Sequence, residues 1–230
     1  MKTVDLTTNS CGDYTHALIK GGLGAIPVLG ATAAELFGLI VTPPLEKRKI
    51  QWMNELGEKL ARLEQSKGIN IAELANNELF IDAVVQTTTF ALRTSHKEKI
   101  EAFKNALLNT AVKCPIDETK SQIFLNQLDS FTIWHIRILQ FFESPVDWFN
   151  NAKKTPPSYY FGTNLSAVIK KAYMELENED DLIGIIWNDL KVAGFLNYVD
   201  LNTIITRELL NKRTSELGDE FLNYIRFEQE

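Results

Sequence analysis

The sequence predicts a mostly α-helical protein that begins with a helical bundle. Apolar residues recur at helical spacing through most of the 230 residues, and no stretch alternates apolar and polar residues as a half-buried strand would. No segment repeats at a fixed period, which argues against a solenoid. Apolar residues make up 45% of the chain and charged residues 23%, so the chain can bury a sizeable core.

Residues 1–16 are expected to form a polar arm. The run MKTVDLTTNSCGD contains acidic residues and lacks the apolar centre of a secretory signal. The chain has two cysteines, Cys11 and Cys114, which suggest no disulfide framework and are expected to be reduced thiols. These features favour a cytoplasmic location.

Residues 17–41 form the most apolar stretch of the chain and hold five of its 12 glycines. The longest uncharged run in it has 14 residues and ends before Glu35, which is short for a helix that spans a bilayer. We predict a helix over residues 27–41. Pro43-Pro44 is expected to end this helix, because the residue before a proline avoids the α region.

This stretch has two interpretations. The favoured one is a buried central helix of a bundle that spans residues 17–128. The alternative is a segment that enters a membrane or contacts a protein partner, and it places the protein at the inner membrane face. In that alternative the adjoining basic residues meet anionic headgroups. The candidate contact residues are Ile26, Leu29, Leu36, Phe37, Leu39, Ile40, Lys47, Arg48 and Lys49.

The next helices follow from apolar stripes and caps. Residues 44–66 are predicted to be helical, with Gly68 just past the helix end. Residues 71–92 form either one helix or a turn and then a helix from Asn77. Ser95 with Glu98 has the spacing of a capping box and is expected to start the helix over 95–111. A further helix is expected over 117–128. The predicted buried stripe of the 44–66 helix is Leu45, Ile50, Met53, Leu56, Leu60 and Leu63.

The second part of the chain is richer in aromatic residues. Helices are expected over 130–143 and 164–177, separated by a loop at 150–163 that contains two prolines. Ser144-Pro145 is expected to end the first of these helices. The next predicted helix is capped by Asp180 or Asp181. Residues 203–213 are ambiguous, and Thr214 is expected to cap the last helix.

This part resembles a winged-helix domain. The resemblance is carried by Leu190, Gly194, Phe195 and Leu196 at the end of the third helix, and by Thr214, Gly218 and Phe221, with one more residue between Thr214 and Gly218 than the usual pattern. It implies a C-terminal winged-helix-like domain over residues 129–230 with at most a small β-hairpin.

A winged helix raises the question of DNA binding, because its third helix commonly enters the major groove. The candidate contacts would be Lys191, Arg207, Lys212 and Arg213. Residues 127–230 contain 10 Lys and Arg against 16 Asp and Glu, which accounts for the whole net charge of −6. That balance repels a polyanion, so we expect protein contacts in preference to nucleic acid.

The first part is similar to a group of uncharacterised bacterial helical proteins. The shared features are a glycine-rich stretch with Ile26-Pro27-Val28-Leu29-Gly30 and the later run Pro44-Leu45-Glu46-Lys47-Arg48. The resemblance implies a bacterial origin.

No catalytic motif is evident in the sequence. Cys11, Asp13 and His16 are too loosely spaced to indicate a metal site. The glycines of residues 21–24 neither follow a strand nor precede a Gly-Lys-Ser/Thr. His135, within an aromatic helix, is expected to be a buried core histidine. We therefore predict no catalytic, cofactor-binding or metal-binding residue.

The predicted function is a non-enzymatic interaction or regulatory protein that acts through protein–protein contacts. Its partner is not identified by the sequence, and self-association is compatible with it. Two alternatives remain: a membrane-active bacterial defence effector that inserts residues 17–41, and a winged-helix DNA-binding regulator.

Overall fold

The computed structural model describes residues 33–112, 117–157, 163–197, 200–205 and 208–226, and for residues 33–43 it describes the backbone only. Met1–Glu46 and Lys47–Glu230 form two compact units. The predicted arm, residues 1–16, lies outside the described residues. The helices are α1 (Ala33–Lys67), α2 (Ile71–Leu74), α3 (Glu78–Arg93), α4 (Lys97–Ala111), α5 (Glu118–Ser130), α6 (Ile133–Glu143), α7 (Pro145–Asn151), α8 (Leu165–Ala172), α9 (Asp180–Val192) and α10 (Glu216–Ile225), with a 3₁₀ turn at Met174–Leu176.

The fold is mostly α, as predicted. Throughout the described ranges there is no strand, and the β-type pairing consists of two isolated antiparallel bridges, Thr163 with Ile205 and Leu196 with Thr214. Among the described residues, no helix is long and apolar enough to cross a membrane.

Helix α1 continues through Pro43-Pro44, so the predicted helix end at these prolines is wrong. Proline has a φ near the helical value, and its costs are a missing N–H donor and crowding of the preceding turn. Helix α1 nevertheless includes both prolines and ends at Lys67. The next residue, Gly68, has φ +65°, and its N–H donates to the Glu64 carbonyl oxygen at 3.1 Å. The predicted position of Gly68 past the helix end is confirmed.

The buried side of α1 differs from the predicted stripe. Leu56 and Leu63 are buried as expected, but Trp52 lies with them in the core. Trp52 Nε1 donates a hydrogen bond to Thr88 Oγ1 of α3 at 3.0 Å. The remaining stripe residues are Leu60, which is half-buried, and Leu45, Ile50 and Met53, which are exposed.

Polar side chains define several helix starts. Asn77 accepts from the Phe80 N–H at 3.1 Å, which confirms a separate helix from Asn77, and Asp117 accepts from the Lys120 N–H at 2.8 Å. Helix α4, however, begins after His96, so the predicted capping box at Ser95 is wrong. Glu98 is bonded to Arg137 of α6 and is not available for that box.

A buried lysine, Lys99, caps the C-terminal end of α5. Lys99 Nζ, from α4, donates to the carbonyl oxygens of Asp129 at 2.6 Å and Phe131 at 2.7 Å. The last carbonyls of a helix have no partner within the helix, so a cation that reaches them satisfies groups that would otherwise be buried unpaired. Burial lowers the pKa of the Lys99 ammonium below its ordinary value.

Helix α6 ends at Glu143, so the predicted break at Ser144-Pro145 is confirmed, and the next helix begins directly after it. Pro145 occupies the first position of α7, where its missing N–H has no partner to lose. Helix α8 starts as predicted, since Asn164 accepts from the Ala167 N–H at 2.9 Å. Helix α10 is capped by Ser215, which accepts from the Gly218 N–H at 3.0 Å, and not by Thr214.

Helix α10 packs back onto α4 and α6, and its packing crosses the predicted division at residue 128. Asn109 of α4 donates to the carbonyl oxygens of Tyr224 at 2.8 Å and Arg226 at 2.6 Å. The Tyr224 hydroxyl bonds to Thr110 at 3.0 Å and to Ser121 at 2.8 Å. One hydrophobic cluster runs from α1 to α10, so residues from both sides of that division share a core.

Gly218 of α10 lies very close to the backbone at Phe195. A Cβ added there would lie within 3.0 Å of the Phe195 carbonyl oxygen, whereas a Cβ added at Gly184 in α9 would meet nothing within 4 Å. We expect Gly218→Ala to lower the free energy of unfolding by about 1–3 kcal/mol or more, because backbone has to move. Gly184→Ala should raise it by about 0.5–1 kcal/mol through helix propensity.

Urea unfolding of both variants measures these two shifts. Equal shifts of one sign in both variants would contradict the close approach of α10 to Phe195.

Candidate functional site

Helix α9 offers the candidate site, because its two sides differ sharply. One side carries Ile183, Ile186, Trp187 and Leu190, all buried. Its end is fixed by a Schellman motif: the Gly194 N–H donates to Lys191 O and the Phe195 N–H donates to Leu190 O, with φ +77° at Gly194. The buried side and the fixed end hold the other side of α9 in one orientation.

That other side is an exposed face in which apolar and acidic residues are mixed. Ile185 is 58% exposed and Val192 is 80% exposed, and they lie two helical turns apart on the same face. We call this surface the α9 face; its residues are Asp181, Ile185, Asn188, Asp189 and Val192, all exposed.

A groove borders the α9 face on the side of α8. Ser166 of α8 and Leu201 and Asn202 after α9 line it together with Asp180 and residues of the α9 face. Asp180 bonds to Lys170 at 2.6 Å, and this lysine lowers the pKa of the Asp180 carboxyl below its ordinary value. The groove is lined by three aspartates, Asp180, Asp181 and Asp189, of which Asp180 is paired with Lys170.

Beneath Asp189 lies a buried histidine, as predicted for His135, which is 5% exposed. Its Nε2 is 3.3 Å from Asp189 Oδ2. Its Nδ1 accepts the Thr132 N–H at 3.1 Å and is 2.8 Å from Thr132 Oγ1. The ring also stacks on Phe131 with centroids 4.8 Å apart.

These groups have the composition of a hydroxyl–histidine–carboxylate triad, but their hydrogen bonds suit a structural role. Because Nδ1 accepts a backbone N–H, the neutral ring of His135 carries its proton on Nε2, toward Asp189. The Nδ1 lone pair that would have to take a proton from Thr132 is thus already engaged. We interpret the arrangement as a link between the start of α6 and the α9 face.

Two of the four predicted DNA-contacting residues are engaged within the described part of the chain. Lys212 pairs with Asp219, and Arg213 Nη2 donates to the Glu208 carbonyl oxygen at 2.7 Å. Lys191 lies half-buried at the end of α9. Arg207 lies outside the described residues.

The predicted membrane-contacting residues fall mostly beyond the side chains that the structure describes. Ile26 and Leu29 lie outside the described residues. Leu36, Phe37, Leu39 and Ile40 lie in α1, where the backbone alone is described. Of the basic residues, Lys47 and Lys49 are exposed, and Arg48 Nη1 approaches the Leu92 carbonyl oxygen at 3.5 Å.

No group of three or more His, Cys, Asp or Glu side chains in the described ranges could hold a metal ion. Cys11, Asp13 and His16 lie outside these ranges. Ile185 and Val192 were not predicted as surface residues. Their apolar side chains gave no signal in the sequence that sets them apart from the buried residues of α9.

No protein-family model, no curated protein and no solved structure matches this chain.

The contribution of His135 to the free energy of unfolding depends on pH. Burial lowers the pKa of His135 below its ordinary 6.5, and Asp189 offsets part of that effect. The folded protein therefore binds fewer protons than the unfolded chain once the pH falls below about 6.5. The stability supplied by His135 should be complete above that pH and decline as the pH falls toward the folded-state pKa.

Unfolding free energies of wild type and His135→Gln, measured from pH 8 to pH 5, test this dependence. The advantage of wild type should shrink with falling pH. An advantage that grows would mean that a charged His135 pairs with Asp189 in the folded state.

Proposed function

We propose that this protein is a non-enzymatic interaction protein whose α9 face binds a basic, amphipathic segment of a partner protein. The observation that carries the proposal is the exposure of Ile185 and Val192 on an acidic helix face whose opposite side is locked into the core. Large apolar side chains rimmed by polar residues are typical of interaction surfaces.

The charge of the face selects the kind of partner. Asp181 and Asp189 flank Ile185, and Asp180 lines the adjoining groove. A segment with apolar residues at helical spacing and lysine or arginine beside them would cover the two aliphatic side chains and meet the carboxylates. Such a helix-on-helix contact uses anchors one and two turns apart.

A winged-helix-like arrangement of the C-terminal part, residues 129–230, belongs to the same proposal. Its support is the order of α6, the bridge at Thr163, α8, α9 and the bridge at Leu196 before α10. Around that last bridge, Asn197 N–H donates to Arg213 O at 2.7 Å and Ser215 N–H donates to Phe195 O at 2.9 Å. In this arrangement α6, α8 and α9 are the three helices of the domain, with the short α7 inserted after α6. Helix α9 is then the third helix, which such domains commonly use for recognition.

The acidity of α9 favours a protein over DNA. A helix that enters the major groove meets phosphates on both sides, and Asp181 and Asp189 would be repelled by them. Because Lys212 is already paired with Asp219, its charge does little to offset that repulsion. The membrane-active alternative depends on residues 17–41, of which the structure describes the helix from Ala33 onward.

The test uses a labelled helical peptide made of leucine and lysine, with leucine on one face, and a second peptide in which glutamate replaces lysine. Fluorescence anisotropy at low salt should show that the lysine peptide binds wild type about tenfold or more tightly than the glutamate peptide. The double variant Ile185→Ser/Val192→Ser should weaken binding of the lysine peptide by about tenfold, a loss of about 1.4 kcal/mol.

The matched control is Met174→Ser, because Met174 is 70% exposed and lies outside the α9 face. Its affinity for the lysine peptide should equal that of wild type. The proposal is overturned by equal binding of the two peptides, by unchanged binding in the double variant, or by tighter binding of a duplex DNA probe than of the lysine peptide.

A further inference from the structure

A second apolar surface lies on α1, far along the chain from α9. Ile50 is 61% exposed and Met53 is 50% exposed, one helical turn apart. Trp52 donates to Thr88 of α3, and Ile50 lies nearly opposite Trp52 around the helix, so Ile50 points away from α3. Neighbouring large apolar side chains that stay in water among charged residues are typical of an interaction surface.

Gly57 adds an observation that packing within the chain does not explain. It lies in the interior of α1, where glycine costs about 0.5–1 kcal/mol relative to alanine. A Cβ at Gly57 would meet nothing within 4 Å, so no neighbour in the described part of the chain requires a glycine there. Gly57 follows Ile50 by two helical turns and lies on the same side of α1. A bare backbone there leaves room for a large side chain from another helix.

We propose that this side of α1 pairs with α1 of a second copy of the chain, in an antiparallel arrangement around a two-fold axis near Met53. Such an axis makes every contact occur twice. Ile50 of one protomer then lies over Gly57 of the partner subunit, and Ile50 of the partner subunit lies over Gly57 of the first. Met53 packs near the axis against its own copy.

Charge complementarity selects the second copy and the antiparallel direction. Lys47 and Glu58 are both exposed and lie on the same side of α1, three turns apart. Glu58 also lies 3.5 Å from Arg62 of its own helix, in a pair that stays open to solvent. The two-fold axis near Met53 brings Lys47 of each protomer beside Glu58 of the partner subunit. A parallel pair would place Lys47 against Lys47 and Glu58 against Glu58, which repel. Both the apolar contact and the ion pairs are therefore satisfied by one register.

The oligomeric state of the full chain tests this pairing. Sedimentation velocity over a range of concentrations should give a dimer, twice the chain mass of 26.1 kDa. Ile50→Glu should raise the dimer dissociation constant about tenfold or more, because a charge enters the centre of the contact. Ile123→Glu is the matched control, since Ile123 is an exposed isoleucine of α5, 45% exposed, and should leave the constant unchanged.

Charge exchange tests the direction of the pairing. Lys47→Glu and Glu58→Lys should each weaken the dimer, and the double variant Lys47→Glu/Glu58→Lys should restore it toward the wild-type constant. Circular dichroism verifies that each variant is folded. A monomeric wild type at every concentration, a dimer insensitive to Ile50→Glu, or a double variant weaker than both single variants overturns the proposal.

Discussion

The packing of α10 against Phe195 and α4 is the constraint on which the rest of the structure depends. Gly218 brings α10 so near the Phe195 carbonyl that a side chain does not fit between them. The Phe195 ring stacks on Phe221 with centroids 4.6 Å apart. Because Phe195 directly follows the end of α9, this contact fixes α9 and hence the orientation of its exposed face. At its other end, α10 is held by Asn109.

The helices and many of their ends follow from local chemistry in the sequence. Asn77 and Asn164 cap helices because their side chains reach the first free N–H groups. Gly68 and Gly194 end helices because they adopt positive φ. The buried side of α1 could not be predicted in the same way. Apolar residues cover more than half of its circumference, and Trp52 takes the core position through a partner 36 residues away.

The candidate site was harder to predict than the fold. The acidic charge of the C-terminal part was evident in the sequence, and the preference for a protein partner over a phosphate backbone stays a prediction. Which side of α9 would be exposed was not evident, since Ile183, Ile185 and Ile186 read alike in the sequence. Only packing against the aromatic cluster, where Trp187 meets Phe142 with centroids 5.2 Å apart, decides that Ile185 faces water.

Native-state hydrogen exchange of the full chain, followed by mass spectrometry at increasing denaturant, tests most directly whether residues 47–230 behave as one unit closed by α10. The account predicts that the protected amides of α4 and α10 exchange through the same opening, with equal free energies and equal dependence on denaturant. Exchange of α10 together with α6–α9 at a lower free energy, while α3–α5 stay protected, would contradict it.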